Sequence, residues 1–137
     1  MTDVEEIVAT AVRYAFALDS KDWDALSAVF TADATAALGS ELSGLDAIAD
    51  RCKQALGRLD CSQHLVGTHQ VAVSGDRATH RCYLHAQHVR RGAEGGPHYI
   101  VAGRYEDALL RTADGWRITR RELHVMWTEG NPGVVSG

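Results

Sequence analysis

The chain has 137 residues, a hydrophobic share of 45% and a formal net charge of −4. This length predicts a single domain, residues 1–137, that is large enough to bury a core and enclose a small pocket. The weak charge of mixed sign gives no electrostatic case for binding nucleic acid or an anionic membrane surface. We therefore expect a small neutral or weakly charged molecule as the ligand.

The cysteines and the N-terminus bear on the cellular compartment. Cys52, Cys61 and Cys82 are odd in number and have no CxxC spacing, which is typical of reduced thiols packed in a core. The opening segment MTDVEEIVAT is acidic and helix-patterned, unlike the basic region and apolar run of a signal peptide. No stretch of the sequence reaches the length of a transmembrane helix. These features predict a cytoplasmic protein.

The first half of the chain predicts three helices. The first is capped by Thr2 or Asp3, and its apolar residues recur at the helical spacing of about 3.6 residues. A second, shorter helix is predicted over KDWDALSAVF, where the apolar residues form one face. A third is predicted from Leu45 to Leu59.

Strand-like segments make up most of the remainder. ADATAAL predicts a short strand before the third helix, and residues 39–44 predict a loop. After that helix, one strand starts near His64 and three more follow between turn sequences rich in Gly, Asp, Ser and Pro. These three strands run roughly from Arg77 to Arg90, from His98 to Arg111 and from Trp116 to Trp127.

Helices followed by long strands predict an α+β domain in which a strongly bent sheet wraps the helices. The hairpin turns make the sheet mostly antiparallel, and its curvature leaves a cavity at one end. Only the last residues, 130–137, are expected to form a flexible tail.

Asp19 and His64 are the first candidates for catalytic residues. Asp19 ends the apolar face of the first helix, where a carboxylate is costly unless another group pairs with it. His64 opens the first long strand, and a carboxylate beside a histidine fixes its tautomer and stabilises the imidazolium form. Each residue taken singly also has a structural explanation, because Asp19 can cap a helix and His64 is one of seven histidines.

Three segments, ALDSKDWDALSAVFTADA, QHLVGTHQVAVSGDRATHRCYLHAQHV and GRYEDALLRTADGWRITRRELHVMW, resemble the SnoaL-like branch of the nuclear-transport-factor-two-like superfamily. This branch includes scytalone dehydratase, hexachlorocyclohexane dehydrochlorinase, bile-acid dehydratase and small polyketide cyclases. The resemblance covers nearly the whole chain and implies a cone-shaped α+β barrel, with three N-terminal helices packed in a curved, mixed sheet.

The resemblance also implies a chemistry for Asp19 and His64. In the dehydratase and dehydrochlorinase members, an aspartate ending the first helix hydrogen-bonds a histidine that removes a substrate proton, and these two residues match those positions. It implies a cofactor-independent lyase or isomerase of dehydratase or cyclase type. The implied substrate is small, hydrophobic and polyketide-, steroid- or aromatic-like.

The second long strand and the first helix supply further candidates for substrate binding. Strand alternation together with the resemblance predicts that His88 and Leu84 face the cavity, although the register leaves His85 as the alternative to His88. Tyr14 matches a pocket position of the family, and its alternative role is that of a core tyrosine.

The last strand supplies three more candidates. Alternation predicts that Arg121, Val125 and Trp127 face the cavity, and Arg121 matches a pocket arginine of the dehydrochlorinase. An internal ion pair with Glu106 is the alternative role for Arg121. The two roles are compatible, since a buried arginine needs a partner in either case.

Metal and nucleotide sites are not predicted. His80, His85 and His88 look like a cluster, but alternation puts His85 on the opposite face, and His80 and His88 lie roughly 25 Å apart along a regular strand. The glycines at positions 92, 95 and 96 sit in a hairpin without a following helix, so they form no dinucleotide or phosphate loop. We expect no metal and no cofactor.

Two other functions share the expected fold. One is a non-catalytic module that binds a small molecule, and the other is an oligomerisation subunit like the β-chain of ring-hydroxylating dioxygenases. A homodimer or homotrimer is expected for any of these functions, because apolar residues on the convex face of the sheet would need cover. These residues are Tyr83, Tyr105, Ile118 and Met126.

Overall fold

A computed structural model describes residues 1–136 of the chain, and its helices lie against one face of a curved sheet. Helix α1 spans Asp3–Asp19, and the hydroxyl of Thr2 accepts a hydrogen bond from the Glu5 amide at 3.1 Å, as its capping position predicts. The second predicted helix is a short 3₁₀ helix, Trp23–Ala28, rather than an α-helix. Helix α2 spans Leu45–Leu56 and ends before the predicted Leu59.

The sheet is mixed and mostly antiparallel, which confirms the predicted α+β architecture. Its six strands have the order β2-β1-β6-β5-β4-β3, and only the pair of β1 with β6 is parallel. The predicted loop over residues 39–44 is wrong in part, because residues 41–43 pair with β1 as a short edge strand. The strands are β1 Phe30–Ala37, β2 Glu41–Ser43, β3 Cys61–Ser74, β4 Arg77–Val89, β5 His98–Thr112 and β6 Gly115–Gly130.

β-bulges interrupt the alternation of side chains along β3 and β6. In β3, Thr68 and His69 together lie opposite the single residue Cys82. In β6, Thr119 and Met126 are each passed over in the pairing with β5. An extra residue moves every following side chain to the other face of the sheet. A prediction of inward and outward faces that counts alternate residues is therefore wrong beyond each bulge.

The core lies between the concave face of the sheet and the helices. Ile7 and Leu18 of α1, Ile48 of α2 and Leu26 of the 3₁₀ helix are buried there. The sheet adds Phe30, Trp116 and Ile118 to this core.

Two residues expected on the convex face belong to this core. Tyr105 and Ile118 are only 3% and 1% exposed. Tyr105 pairs with the buried Cys82 and Ile118 with the buried Leu109, so both point inward. For Ile118 the cause is the bulge at Thr119, because the extra residue shifts Ile118 from the outer face of the sheet to the inner face.

The C-terminal segment packs against the domain, which corrects the expectation of a flexible tail for the described residues. Helix α3, Gly133–Ser136, follows β6, and its Val134 is 1% exposed within the hydrophobic core. The side chain of Asn131 donates hydrogen bonds to the carbonyls of Glu94 and Gly96, both at 2.9 Å. Gly137 lies outside the described residues. No helix within residues 1–136 combines the length and apolarity needed to cross a membrane.

Gly103 offers a test of the bulge at Met126. A Cβ on Gly103 would collide with the carbonyl oxygen of His124 in β6. Gly103→Ala should therefore lower the free energy of unfolding by about 1–3 kcal/mol, because the backbone must shift to make room. The control is Gly67→Ala in β3, where an added Cβ meets no atom within 4 Å, and its effect should stay below about 0.5 kcal/mol. Equal effects of the two substitutions in urea unfolding would contradict the tight approach.

Candidate active site

The end of α1 meets the start of β3 through the carboxylate of Asp19. Its Oδ1 accepts hydrogen bonds from the Ser62 hydroxyl at 2.9 Å and from Nδ1 of His64 at 2.6 Å. Its Oδ2 accepts the backbone amide of His64 at 2.9 Å. The structure thus brings together the two residues that the sequence pairs, and the backbone contact fixes where β3 begins relative to the helix.

This contact determines which ring nitrogen of His64 carries the proton when the ring is neutral. Nδ1 of His64 donates to the carboxylate, so Nε2 of the neutral ring carries the lone pair. Burial on its own would raise the pKa of Asp19, but the hydrogen bonds from His64 and Ser62 outweigh it and lower that pKa below 3.8. The His64 side chain is 6% exposed. A carboxylate and a sheltered, unprotonated nitrogen are the components of a general base.

His88 is the second histidine of this site. It lies opposite Ser62 in the pairing of β3 with β4, and its ring meets the ring of His64 edge-on, with the centroids 5.8 Å apart. Nδ1 of His88 donates to the Tyr99 carbonyl at 3.0 Å, so its Nε2 also carries a lone pair. Burial is the main cause that lowers the pKa of His88, and it outweighs the opposing effect of the Tyr99 carbonyl.

The register decides between His88 and His85. His88 is buried on the concave face, whereas His85 is exposed on the convex face, where its ring contacts the ring of Trp127. The two positions differ in parity along a strand that has no bulge between them.

Arg121 is fully buried, but its partner is Asp107 and not Glu106. Its Nε and Nη2 donate to the two oxygens of Asp107 at 2.7 and 2.8 Å. The expected pairing with Glu106 is wrong because Glu106 lies on the outer face, where it pairs with Arg104. Within residues 1–136, Nη1 of Arg121 is buried without a hydrogen-bond partner.

Tyr14 and Leu84 lie on the inner side, as predicted, and both are buried. The guanidinium of Arg121 lies between the rings of Tyr14 and Tyr105, with its carbon 4.5 and 3.9 Å from the two ring centres. Tyr14 therefore packs in the core against Arg121, with its hydroxyl 3.9 Å from the thiol of Cys52.

The structure does not bring Val125 and Trp127 to the same place. Val125 pairs with Gly103 on the inward side of β6, near the exposed end of the strand, and is 54% exposed. Trp127 follows the bulge at Met126 and pairs with Ala102, so it points to the convex face and is 46% exposed. The expectation that Trp127 faces the cavity is wrong for this reason.

Sequence reasoning missed a second group of polar residues on the inner face. Nδ1 of His80 donates to Asp107 at 2.8 Å, and Nε2 of His80 lies 2.9 Å from Nδ1 of His69. Strand alternation could have identified Asp107, because it lies directly opposite Arg121 in the pairing of β5 with β6. His69 could not, because it turns inward only through the bulge in β3.

The fold and this site define a class of protein. The mixed six-stranded sheet with its helices has the fold of nuclear-transport-factor-two-like proteins. The chain belongs to the SnoaL-like domain family, whose model matches residues 1–122.

Relatives of this chain come from bacteria and fungi. The uncharacterized protein Rv2910c of Mycobacterium tuberculosis is 34% identical over 126 residues, which cover 88% of this chain and 84% of the relative. Terrestric acid biosynthesis cluster protein E of Penicillium crustosum is 28% identical over 141 residues, covering 98% and 90% of the two chains.

Solved structures agree with this assignment. Kfla4162 from Kribbella flavida superposes with a TM-score of 0.90 at 27% identity, over 98% of this chain and 97% of that one. A hexachlorocyclohexane dehydrochlorinase, LinA type 2, shares the fold with a TM-score of 0.78 at 14% identity, over 95% of this chain and 87% of that one.

The burial of His88 predicts its titration. Because its pKa is lowered in the folded protein, the ring should titrate below 6.5. Between that lower pKa and 6.5 the unfolded chain binds a proton that the folded chain does not. The contribution of His88 to the free energy of unfolding is thus complete above this window and is lost as the pH falls through it. Side-chain NMR, with His88→Asn to assign the signal, measures the midpoint of the His88 titration. A midpoint at or above 6.5 would contradict the lowered pKa.

Proposed function

We propose that this protein is a cofactor-independent lyase or isomerase in which His64 removes a proton from a small hydrophobic substrate. The observation that carries the proposal is the 2.6 Å contact between Asp19 and Nδ1 of His64, which leaves Nε2 for the substrate. A base of this kind needs no metal or organic cofactor when the proton lies next to a carbonyl group. The proposed substrate is polyketide-, steroid- or aromatic-like, and apolar residues on the inner face would contact it.

A dehydration would proceed through two proton transfers at His64. Its Nε2 takes a proton from the carbon beside a carbonyl, and the electrons of that C–H bond form an enolate. Asp19 stabilises the imidazolium, since its carboxylate already holds the opposite ring nitrogen. The enolate then forms the new double bond as the neighbouring C–O bond breaks, and His64 returns the proton to the departing hydroxide as water. An isomerisation would return the proton to a different carbon.

His88 and Arg121 suit the supporting roles. Nε2 of His88 is an acceptor, so it would hold a substrate hydroxyl in place rather than donate a proton to it. Nη1 of Arg121 is a buried cationic donor without a hydrogen-bond partner in residues 1–136, so it would be able to stabilise an oxyanion that develops on the substrate. Leu84 and Tyr14 would form apolar wall, and Val125 would lie at the exposed rim.

The relatives support the class of reaction and leave the substrate open. The name of the Penicillium crustosum relative links it to a biosynthetic cluster, and the name of LinA describes an elimination on the same fold. The alternative function is a binding module that keeps the pocket without turnover. Catalysis is favoured because pure binding does not require a carboxylate behind the histidine.

Solvent-deuterium exchange tests the proposed base. The wild-type protein should incorporate deuterium next to the carbonyl in a panel of small ketones and β-hydroxy ketones. His64→Ala and Asp19→Asn should each lower the exchange rate by roughly 10²–10⁴-fold, because one removes the base and the other removes the charge that stabilises its protonated form. Mass spectrometry of the recovered ketones measures the exchange.

Two matched variants control for general damage. His85→Ala removes an exposed histidine from the convex face, and Asp33→Asn removes an exposed carboxylate, so both should exchange at the wild-type rate. Wild-type exchange in His64→Ala or Asp19→Asn would exclude the pair from the chemistry. Ligand binding without any exchange would support the binding module instead.

We also propose that the protein associates with itself through the convex face of the sheet. Apolar side chains there line a groove of about 410 Å³. Contiguous exposed apolar surface of this kind marks an interaction site. Its most exposed members are Leu65, Tyr83, Met126 and Trp127, which are 57%, 53%, 57% and 46% exposed.

Light scattering tests the association. The wild-type chain should elute as a homodimer or homotrimer of its 14.9 kDa subunit. Tyr83→Arg combined with Trp127→Arg should give a monomer, because the two charges would be buried without partners in the interface. Phe16→Arg is the control, since Phe16 is 70% exposed on α1, away from the sheet face. A monomeric wild-type protein would disprove the proposal.

The cellular location is a further proposal. Cys52, Cys61 and Cys82 are all free thiols, which supports a reducing, cytoplasmic environment.

A further inference from the structure

Three side chains that the proposed reaction does not use converge on the inner face of the sheet. One ring nitrogen each of His69 and His80 and the Sγ of Cys82 all lie within 4.8 Å of one another. We call these three residues the β3–β4 cluster. His80 and Cys82 are 2% exposed, and His69 is partly exposed at the edge of the sheet.

A local distortion of the backbone creates this convergence. His80 and Cys82 stand two residues apart on β4 and therefore share the inner face. His69 would point outward in an unbroken β3, since Gly67 pairs with the outward residue Tyr83. Thr68 adopts a φ of 56°, which is unusual for a β-branched residue, and the bulge turns His69 inward.

The surroundings of His80 prepare its ring for coordination. Nδ1 of His80 donates to Oδ2 of Asp107 at 2.8 Å, which leaves the lone pair on Nε2 directed at the cluster. Arg121 holds Asp107 from the other side at 2.7 and 2.8 Å, so the carboxylate cannot turn away. A carboxylate behind a histidine is the arrangement that orients the ligands of metal ions in proteins and raises their basicity.

We infer that His69, His80 and Cys82 form a binding site for a borderline-soft divalent cation of the zinc class. Two imidazole nitrogens and one thiolate form a donor set that such an ion accepts in tetrahedral geometry, with one position left for water or another ligand. Nδ1 of His69 lies 2.9 Å from Nε2 of His80. Tetrahedral Zn–N bonds of about 2.0–2.1 Å place two nitrogens roughly 3.4 Å apart, so the rings need to separate by only about half an ångström.

Binding changes the protons of the site in a defined way. The thiol of Cys82 loses its proton when the S–metal bond forms, so one cation bound releases one proton. The ring of His69 must present a lone pair on Nδ1, and its proton then resides on Nε2. The thiolate lowers the charge of the bound ion to +1, while the charges of Asp107 and Arg121 offset each other.

An outer cavity borders the bulge that turns His69 inward. It has a volume of about 210 Å³, lies on the convex side, and has Thr68 and Cys82 among its lining residues. The two arginines in its wall, Arg81 and Arg104, are held by Gln70 and Glu106 at 2.5 and 2.9 Å.

Cobalt spectroscopy on the full chain tests the inference. Co²⁺ titrated into the reduced protein should produce a thiolate-to-cobalt charge-transfer band in the near ultraviolet that saturates at one equivalent. Zn²⁺ should remove the band by displacement, and a weakly buffered titration should register one proton released per ion. This readout does not depend on substrate turnover.

Substitutions assign the band to the cluster. Cys82→Ser should abolish it, and His69→Ala should weaken Co²⁺ binding by at least tenfold; His69 is partly exposed, so its removal spares the core. Cys61→Ser removes an exposed thiol and Cys52→Ser a buried one outside the cluster, and both should keep the band. Circular dichroism verifies that each variant is folded. Absence of the band in the wild type, its survival in Cys82→Ser or its loss in Cys61→Ser would overturn the inference.

Discussion

The buried ion pair of Arg121 with Asp107 is the interaction on which the rest of the interior depends. Both side chains have no exposed surface, and the guanidinium lies between Tyr14 of α1 and Tyr105 of β5. Removing one partner of such a pair leaves an uncompensated buried charge, at a cost of about 3–5 kcal/mol. An exposed pair such as Arg111 with Asp3 contributes less, because water screens its charges. The Arg121 pair joins β5 to β6 and contacts α1 through the ring of Tyr14, so it supports the surface on which α1 packs.

The docking of α1 sets the geometry at its other end. Asp19 reaches His64 only because the helix lies against β3, and its carboxylate binds both the backbone and the ring of that residue. The two histidines of the site then differ in what stands behind them. His64 has the Asp19 carboxylate at Nδ1, whereas His88 has only the Tyr99 carbonyl there, and burial lowers the pKa of His88. This difference supports the proposal that His64 acts as the base and His88 as an acceptor.

Patterns of local spacing predicted most of the fold, and the β-bulges account for most of what they missed. Hydrophobic period and turn residues placed α1 and the long strands to within a few residues, and the resemblance to the SnoaL-like branch paired Asp19 with His64. Alternation together with that resemblance put His88 inside, since β4 is regular. It failed for Trp127, because no residue type announces an extra residue in an antiparallel pair.

The bulges that defeated alternation are also where the polar interior is built. The one at Thr119 lets Ile118 and Arg121 share the inner face, so that an apolar residue and a cation both enter the core from one strand. The one in β3 brings His69 to His80, which an unbroken strand would keep apart. Arg121 contacts Asp107 directly, and His69 is connected to Asp107 through His80. A bulge weakens the ladder locally, and these two bulges redirect side chains toward the buried carboxylate of Asp107.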